Sequence, residues 1–297
     1  MSVKDTDTFT SAFSYQSRYV RVLGSKIHYI DEGKGTPILF LHGIPTCCYL
    51  WRNVVPWVTD VGRCIAPDLI GMGKSDKPDL PYRANDFIRY FSGFVEALDL
   101  KNITMVMHGW GSVIGLDYAM RNSDRIKGLV FIEPYLRSIK SWADASLPMQ
   151  HLGLFLSNHD NPYDLITKTD YFLDKIFPGC IMRHLSDEEM KYYREPFSNP
   201  RQRKLLWQYL LDLPYNPGAS DVAKLIGEYS DKLAVSPIPK LMMYAIPGYS
   251  TTVDTIVWAR DNVKNLKLVD LGEDLHYVQE SKPKEVGVAI ADWVSGI

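Results

Sequence analysis

Cysteine is scarce in this chain, and so are long apolar runs, charge of one sign and ligand-like spacings. The four cysteines among 297 residues are Cys47, Cys48, Cys64 and Cys180. None stands in a C-x-x-C or Cys/His spacing, and neighbours such as Cys47 and Cys48 rarely bridge each other, so neither a disulfide framework nor a metal site is expected. Free, mostly buried thiols suit a reducing compartment. No apolar run approaches the ~18 residues of a membrane span, and the polar stretch Met1–Tyr15, rich in Ser and Thr, lacks the basic start and apolar core of a signal peptide. A soluble, cytoplasmic protein is expected. With 33 basic against 35 acidic side chains and a formal net charge of -2, no run of like charge invites nucleic acid or an anionic membrane. No Gly-rich phosphate loop and no metal-ligand cluster appears, so no cofactor and no metal is expected. Internal repeats are also missing. A monomer or a homodimer fits these features equally well.

What the chain does contain is a regular alternation. Tyr19–Leu23 and Lys26–Asp31 alternate apolar and polar residues around Gly24, as an antiparallel hairpin at a sheet edge does. Pro37–Leu41, Arg63–Ala66, Ile103–Met107 and Gly128–Ile132 are short, nearly continuous apolar runs, the pattern of parallel strands covered on both faces. Helical stretches lie between them, including Ala84–Leu98 and Ser112–Arg121. This alternation predicts an α/β fold with a mostly parallel, doubly wound sheet. After Glu133 it stops, and Ile139 to about Leu213 is helical and rich in aromatics. It resumes with Lys240–Ala245, a helix near Val253–Asn262, the strand Leu266–Asp270 and a last helix over Lys284–Ser295. One core formed by residues 1–137 and 214–297, with 138–213 inserted as a helical cap, is the expected organisation.

Chemistry in such a sheet gathers at the C-terminal ends of the strands. Three loops there are informative. Leu41-His42-Gly43-Ile44-Pro45 follows a strand, and its backbone N–H groups can form half of an oxyanion hole. Met107-His108-Gly109-Trp110-Gly111 joins a strand to a helix as a nucleophile elbow does, but its middle residue is Gly109, which has no side chain to project. Gly272-Glu273-Asp274-Leu275-His276-Tyr277 places a histidine between the last strand and the last helix, where this chain order keeps its general base. A loop histidine taken alone is more often a structural hydrogen-bonder. Beside the other two loops, His276 becomes the candidate base. Glu133, at the end of an apolar strand, is the acid best placed to orient it; its plainer role is a partly solvated strand-end carboxylate. The loop Ala245-Ile246-Pro247-Gly248-Tyr249 offers no acid. Ser112 is expected to satisfy the start of its helix, Cys47 and Cys48 to pack without a base beside them, and His108 to stabilise its loop.

These residues resemble the haloalkane dehalogenases and, more distantly, the coelenterazine luciferase. The resemblance runs through His42-Gly43-Ile44-Pro45-Thr46, Tyr49-Leu50-Trp51-Arg52-Asn53, Ile65-Ala66-Pro67-Asp68-Leu69-Ile70-Gly71-Met72-Gly73-Lys74-Ser75-Asp76-Lys77-Pro78, Phe131-Ile132-Glu133, Pro178-Gly179-Cys180-Ile181-Met182-Arg183 and Leu275-His276-Tyr277-Val278-Gln279-Glu280. It implies an α/β-hydrolase fold with a cap. In that family an aspartate at the elbow attacks the carbon bearing the halogen, a histidine with an acidic partner hydrolyses the resulting ester, and an asparagine with a tryptophan grips the halide. Carried over by position, the resemblance leaves His276 as base, Glu133 as its partner and Trp110 as donor. Gly109 stands at the nucleophile's place and Ile44 at the asparagine's.

A glycine forms no ester, so ordinary dehalogenation is not expected. What is expected is acid–base chemistry by His276 and Glu133 on a small hydrophobic organic substrate, with Ile44 and Trp110 supplying backbone donors and His108, Trp142, Phe155, Phe172 and Trp207 lining the site. The other readings are a dehalogenase whose nucleophile was replaced, a ligand-binding protein without chemistry, and a cofactor-free oxygenase similar to the luciferase. Replacement of the nucleophile alone would not account for Ile44.

Overall fold

In a computed structural model, residues 9–139, 141–216 and 219–297 are described. The opening of the polar stretch Met1–Tyr15 therefore lies outside them. The alternation of the sequence becomes strands β1 (Arg18–Val22), β2 (Ser25–Glu32), β3 (Pro37–Leu41) and β4 (Arg63–Pro67), helix α1 (Ala84–Ala97), strand β5 (Ile103–His108), helix α2 (Trp110–Arg121) and strand β6 (Ile126–Ile132). Helices α3 (Leu147–Asn158), α4 (Pro162–Lys168), α5 (Asp187–Arg194), α6 (Pro200–Asp212) and α7 (Ser220–Val235) follow. Strand β7 (Lys240–Pro247), helix α8 (Val253–Asn262), strand β8 (Leu266–Asp274) and helices α9 (Val278–Ser281) and α10 (Pro283–Val294) complete the chain.

All eight strands join one sheet in the order β1-β2-β4-β3-β5-β6-β7-β8. Only β1 with β2 and β2 with β4 run antiparallel. The strands that read as continuous apolar runs are the central ones: β5 is buried at every position, and β3 and β4 at all but their first. From β3 the chain winds outward to β4 on one side and, from β5, to β6, β7 and β8 on the other. The crevice between the C-terminal ends of β3 and β5 is thus the point where strand order reverses, the place where such sheets bind ligands.

Two elements differ from the sequence expectation. Strand β8 runs on to Asp274 rather than ending at Asp270, because its far end pairs Glu273 and Asp274 with Ile246 and Pro247 of β7 past an irregularity. Helix α7, which the strand-by-strand reading leaves out, packs against α2 on the sheet. Among the described residues, none between Ile132 and Lys240 joins the sheet. Helices α3 to α6 in that span start on side-chain caps that satisfy otherwise unpaired N–H groups: Ser146 for α3, Asn161 for α4, Ser186 with Glu189 for α5 and Asn199 with Gln202 for α6. No helix among the described residues is long and apolar enough to cross a membrane.

A buried ionic cluster ties α5 to the sheet. Arg52 donates to both oxygens of Glu280 in α9, at 2.6 and 2.8 Å, and to Glu189 in α5 at 2.7 Å. Arg183 reaches the same two carboxylates, and the Tyr193 hydroxyl donates to Glu280. Burial alone would raise the Glu189 carboxyl, but the hydrogen bond from Arg183, the Ser186 N–H and the charges of Arg183 and Arg52 override it and hold the group at about 2.

Candidate active site

The loop after β3 is shaped by its own histidine. His42 donates from Nδ1 to the Gly43 carbonyl at 2.8 Å, and Nε2 accepts from the Leu69 N–H at 2.9 Å. Burial lowers this imidazole, so it stays neutral, as both bonds require. Gly43 lets the loop press against the elbow: a Cβ there would lie 3.2 Å from both the His108 carbonyl oxygen and the Trp110 nitrogen. Ile44 is buried at the cavity, its carbonyl taken by the Tyr277 hydroxyl at 2.8 Å. Among the described residues, the Ile44 N–H donates no backbone hydrogen bond. Trp110 is the first residue of α2, so its N–H has no partner within the helix. Two backbone donors therefore converge beside Gly109.

Gly109 itself has φ 50° and ψ −123°, a conformation that side chains rarely adopt. Its carbonyl accepts from both the N–H and the hydroxyl of Ser112, at 2.9 and 2.7 Å. Ser112 also accepts from the Tyr135 N–H at 2.9 Å. Its hydroxyl is committed to the turn, as expected of a helix-start serine.

His276 reaches the elbow from the loop after β8. Its Nδ1 lies 3.0 Å from Glu133 Oε2. The same oxygen accepts from the N–H groups of Tyr249 and Ser250 at 3.0 and 2.7 Å and from the Ser250 hydroxyl at 3.0 Å. Such an oxygen is an acceptor, which makes Nδ1 the protonated nitrogen and leaves Nε2 with the lone pair. That nitrogen faces Gly109: a Cβ on Gly109 would stand 2.9 Å from it. Glu133 sits at φ 49°, a cost that its five donors, the Thr251 N–H at 3.4 Å included, offset. Gly248 (φ +67°) lets the loop after β7 close over the carboxylate, since a Cβ there would be 2.7 Å from Oε1. His108 lines the other side, giving a hydrogen bond from Nε2 to the His276 carbonyl at 2.9 Å. Burial pushes His108 well below the ordinary value, which keeps it neutral beside His276.

These loops and the helices above them enclose a narrow cavity of about 20 Å³, room for little more than one water. Ile44 and His276 form its floor, Met149, Leu152, Phe172 and Phe177 its roof, and Tyr135, Tyr209, Tyr249 and Tyr277 contribute phenol rings. Substrate entry thus requires roof side chains to swing aside.

Of the aromatics expected to line the site, Phe172 does so. Trp142, Phe155 and Trp207 do not. Trp142 packs on Tyr215 and lies close over Gly153. Phe155 stacks on Tyr171 with centroids 5.3 Å apart. Trp207 meets Tyr163 edge to face at 5.8 Å. Each finds its apolar partner within the inserted helices, so none needs the cavity.

The tyrosines and Ser250 are the site residues that sequence reasoning missed. Tyr135 and Tyr249 follow strands β6 and β7 directly, a position that was their only signal.

Sequence spacing also hid a polar cluster. His28, Cys48 and Asp68 meet, with one potential ligand atom from each within 4.8 Å of the others. This corrects the expectation of no such cluster; Cys48 Sγ lies 3.9 Å from His28 Nδ1, but that nitrogen donates to Asp68 and offers the thiol no base. The three are spent on each other. Asp68 accepts from His28 Nδ1 and from the N–H groups of Cys48 and Lys74, all at 2.7 Å. Burial would raise Asp68, but His28, His42 and the Cys48 N–H hold it at about 2, while burial pushes the Cys48 thiol well up and keeps it protonated.

Comparison with known proteins gives the fold and the family. Residues 36–245 match the family described as alpha/beta hydrolase fold. A haloalkane dehalogenase of Sphingobium indicum is 38% identical over 288 residues, covering 94% of this chain and 95% of that protein. One from Mesorhizobium japonicum is 35% identical over 278 residues, covering 93% and 90%. The crystal structure of haloalkane dehalogenase DbeA from Bradyrhizobium elkani superposes with a TM-score of 0.90 at 32% identity, covering 95% of this chain and 98% of that one.

Proposed function

We propose that this chain, which belongs to the α/β-hydrolase fold family and within it to the haloalkane dehalogenase family, transforms a small hydrophobic organic substrate by proton transfer and forms no ester with it. In this reading His276 is the general base, Glu133 the residue that positions it, and residues 138–213 the cap over the site. The negative charge that develops when the base takes a proton is met by hydrogen-bond donors of the site, the backbone N–H groups of Ile44 and Trp110 among them.

One observation carries the reading. His276 Nε2 points at an elbow with no side chain, and it stands so close that the first carbon of any side chain at Gly109 would lie 2.9 Å away. The ring is held there by Glu133 at Nδ1 and flanked by His108, with ring centroids 4.6 Å apart. A side chain at Gly109 would need only a small shift of the end of the His276 ring, so base and vacant elbow stand in working contact. On the family pattern Gly109 and Ile44 occupy the places of the two residues that displace and grip a halide. Both losses fall on the same step, while the base, its partner and the backbone donors remain. Such equipment suits cyclisation, elimination, decarboxylation, isomerisation or direct activation of water.

A general base contributes ~100-fold or more to rate. Screening hydrophobic carbonyl compounds and alcohols in D₂O, with mass spectrometry of the recovered substrate, reads deuterium gained where His276 removed a proton. Exchange is expected with the wild-type protein and should fall by ~100-fold in His276→Ala. Exchange that survives this substitution, or bromide release from 1-bromobutane by the wild type, would overturn the reading.

A further inference from the structure

The cavity wall carries a phenol pair with one hydrogen-bond donor to spare, and further donors are buried around it. Trp110, behind the wall, is buried, and among the described residues its indole Nε1 has no partner. The Tyr215 hydroxyl, likewise buried and outside the cavity lining, has none among them either. Tyr135 and Tyr209 bring their hydroxyl oxygens to 3.3 Å, so one donates to the other and the second proton stays free. Both rings meet the Trp110 indole edge to face, with centroids at 5.8 and 5.3 Å. Burial raises all three phenols, Tyr209 to about 12, and like-charged phenolates would repel across the group. They therefore remain O–H donors at any working pH. Buried donors without partners each carry a penalty in the free protein that a ligand acceptor removes.

We propose that the site takes a hydrophobic ketone with an acidic C–H beside its carbonyl, seating the carbonyl oxygen against the hydroxyl pair of Tyr135 and Tyr209. The inference rests on His276 acting as base and adds the class of substrate. His276 Nε2 takes the α-proton; the C–H electron pair becomes the new C=C bond as the carbonyl π pair moves onto oxygen, and the enolate oxygen is held by the free phenol proton of the Tyr135–Tyr209 pair. The imidazolium returns its proton to carbon or to oxygen, so no oxidant or second reactant is needed. An apolar halide would leave the phenol donors unpaired, and Ile44 adds no side-chain donor on the other wall.

Acetophenone and α-methylstyrene, which replaces C=O by C=CH₂ at nearly the same shape, separate the donor effect from cavity filling. NMR titration of the wild-type protein should give acetophenone about tenfold tighter binding than α-methylstyrene, the usual scale for leaving such donors unpaired. Tyr209→Phe should remove most of that preference and leave α-methylstyrene binding unchanged, which also certifies an intact cavity. Equal binding of the two ligands by the wild type overturns the proposal. So does bromide binding that Tyr209→Phe abolishes while acetophenone binding persists, since the donors would then belong to a halide. Deuterium exchange into the acetophenone methyl group is read separately in His276→Ala. A binding preference without His276-dependent exchange would sink the base and spare the donor assignment; exchange without a preference would do the reverse.

Discussion

Two buried polar clusters flank the segment that follows β3, and they are built on opposite terms. In the cluster around Arg52, every buried nitrogen and oxygen of Arg52, Arg183, Glu189, Tyr193 and Glu280 has a partner among the described residues. Around His276, four atoms lack one: Glu133 Oε1, His108 Nδ1, Trp110 Nε1 and Tyr215 OH. A saturated cluster has nothing left to offer a ligand, and its role is to clamp α5 and α9 to the sheet. A cluster short of partners pays for its vacancies in stability, and a ligand is what would repay them. Polarity alone therefore does not mark a functional site in this fold; unspent hydrogen-bonding capacity, present also at Trp51, Thr104, Asp117, Asp274, Gln279 and Ser281, matters where it stands beside a base.

The contrast breaks most visibly at Arg52. Arg52→Ala leaves Glu189 and Glu280 facing one another with only Arg183 between them, and loss of one member of a buried ionic cluster costs about 3–5 kcal/mol. Urea unfolding of the variant is expected to show a loss of that size. A loss under about 1 kcal/mol would mean that the cluster clamps nothing.

Acid should reach the depressed carboxyls last in the folded protein, and stability should fall as it does so. Glu189 and Asp68 both titrate near 2, below their ordinary values of 4.5 and 3.8. A depressed carboxyl contributes stability that is complete above its unfolded value and disappears as pH falls through the folded one. Each is therefore expected to contribute about 2 kcal/mol at neutral pH that is lost between roughly pH 5 and pH 2. Unfolding free energies measured across that window in wild type and in Glu189→Gln test this. A variant that loses stability with acid as steeply as the wild type would rule Glu189 out as a source of the slope.

The smallest effect sharpens the comparison most. Tyr193→Phe removes a hydrogen bond to a buried carboxylate and should cost about 2 kcal/mol. Tyr215→Phe removes a hydroxyl with no partner and should be neutral or stabilise by up to about 1 kcal/mol. Equal losses in the two variants, read as shifts in thermal midpoint, would erase the distinction between the clusters.

Sequence carried the sheet because its central strands are covered on both faces, which turns each into an unbroken apolar run that no helix of that length imitates. It carried His276, Glu133 and Gly109 because loops at strand ends have few places to go. The end of β8 was hidden by the polar residues Glu273, which is exposed at the edge, and Asp274, which is buried. Helix α7 is legible in the spacing of Val222, Leu225, Ile226, Tyr229 and Leu233, all buried. The cavity walls were not legible. Trp207 and Tyr209 are two residues apart on α6, about 200° around the helix, so only one of them can face His276. Residue type favoured the tryptophan, whereas the cavity receives the tyrosine.

The account stands or falls on whether an alkyl halide ever becomes bonded to the elbow. Wild-type protein and His276→Ala, the latter unable to clear an ester through its base, are incubated with 1-bromobutane, quenched in acid and weighed intact, with peptide mapping of residues 107–112. Neither protein is expected to carry a butyl group there. A butyl adduct within that stretch in either protein would contradict the claim that this site works by proton transfer without a covalent intermediate.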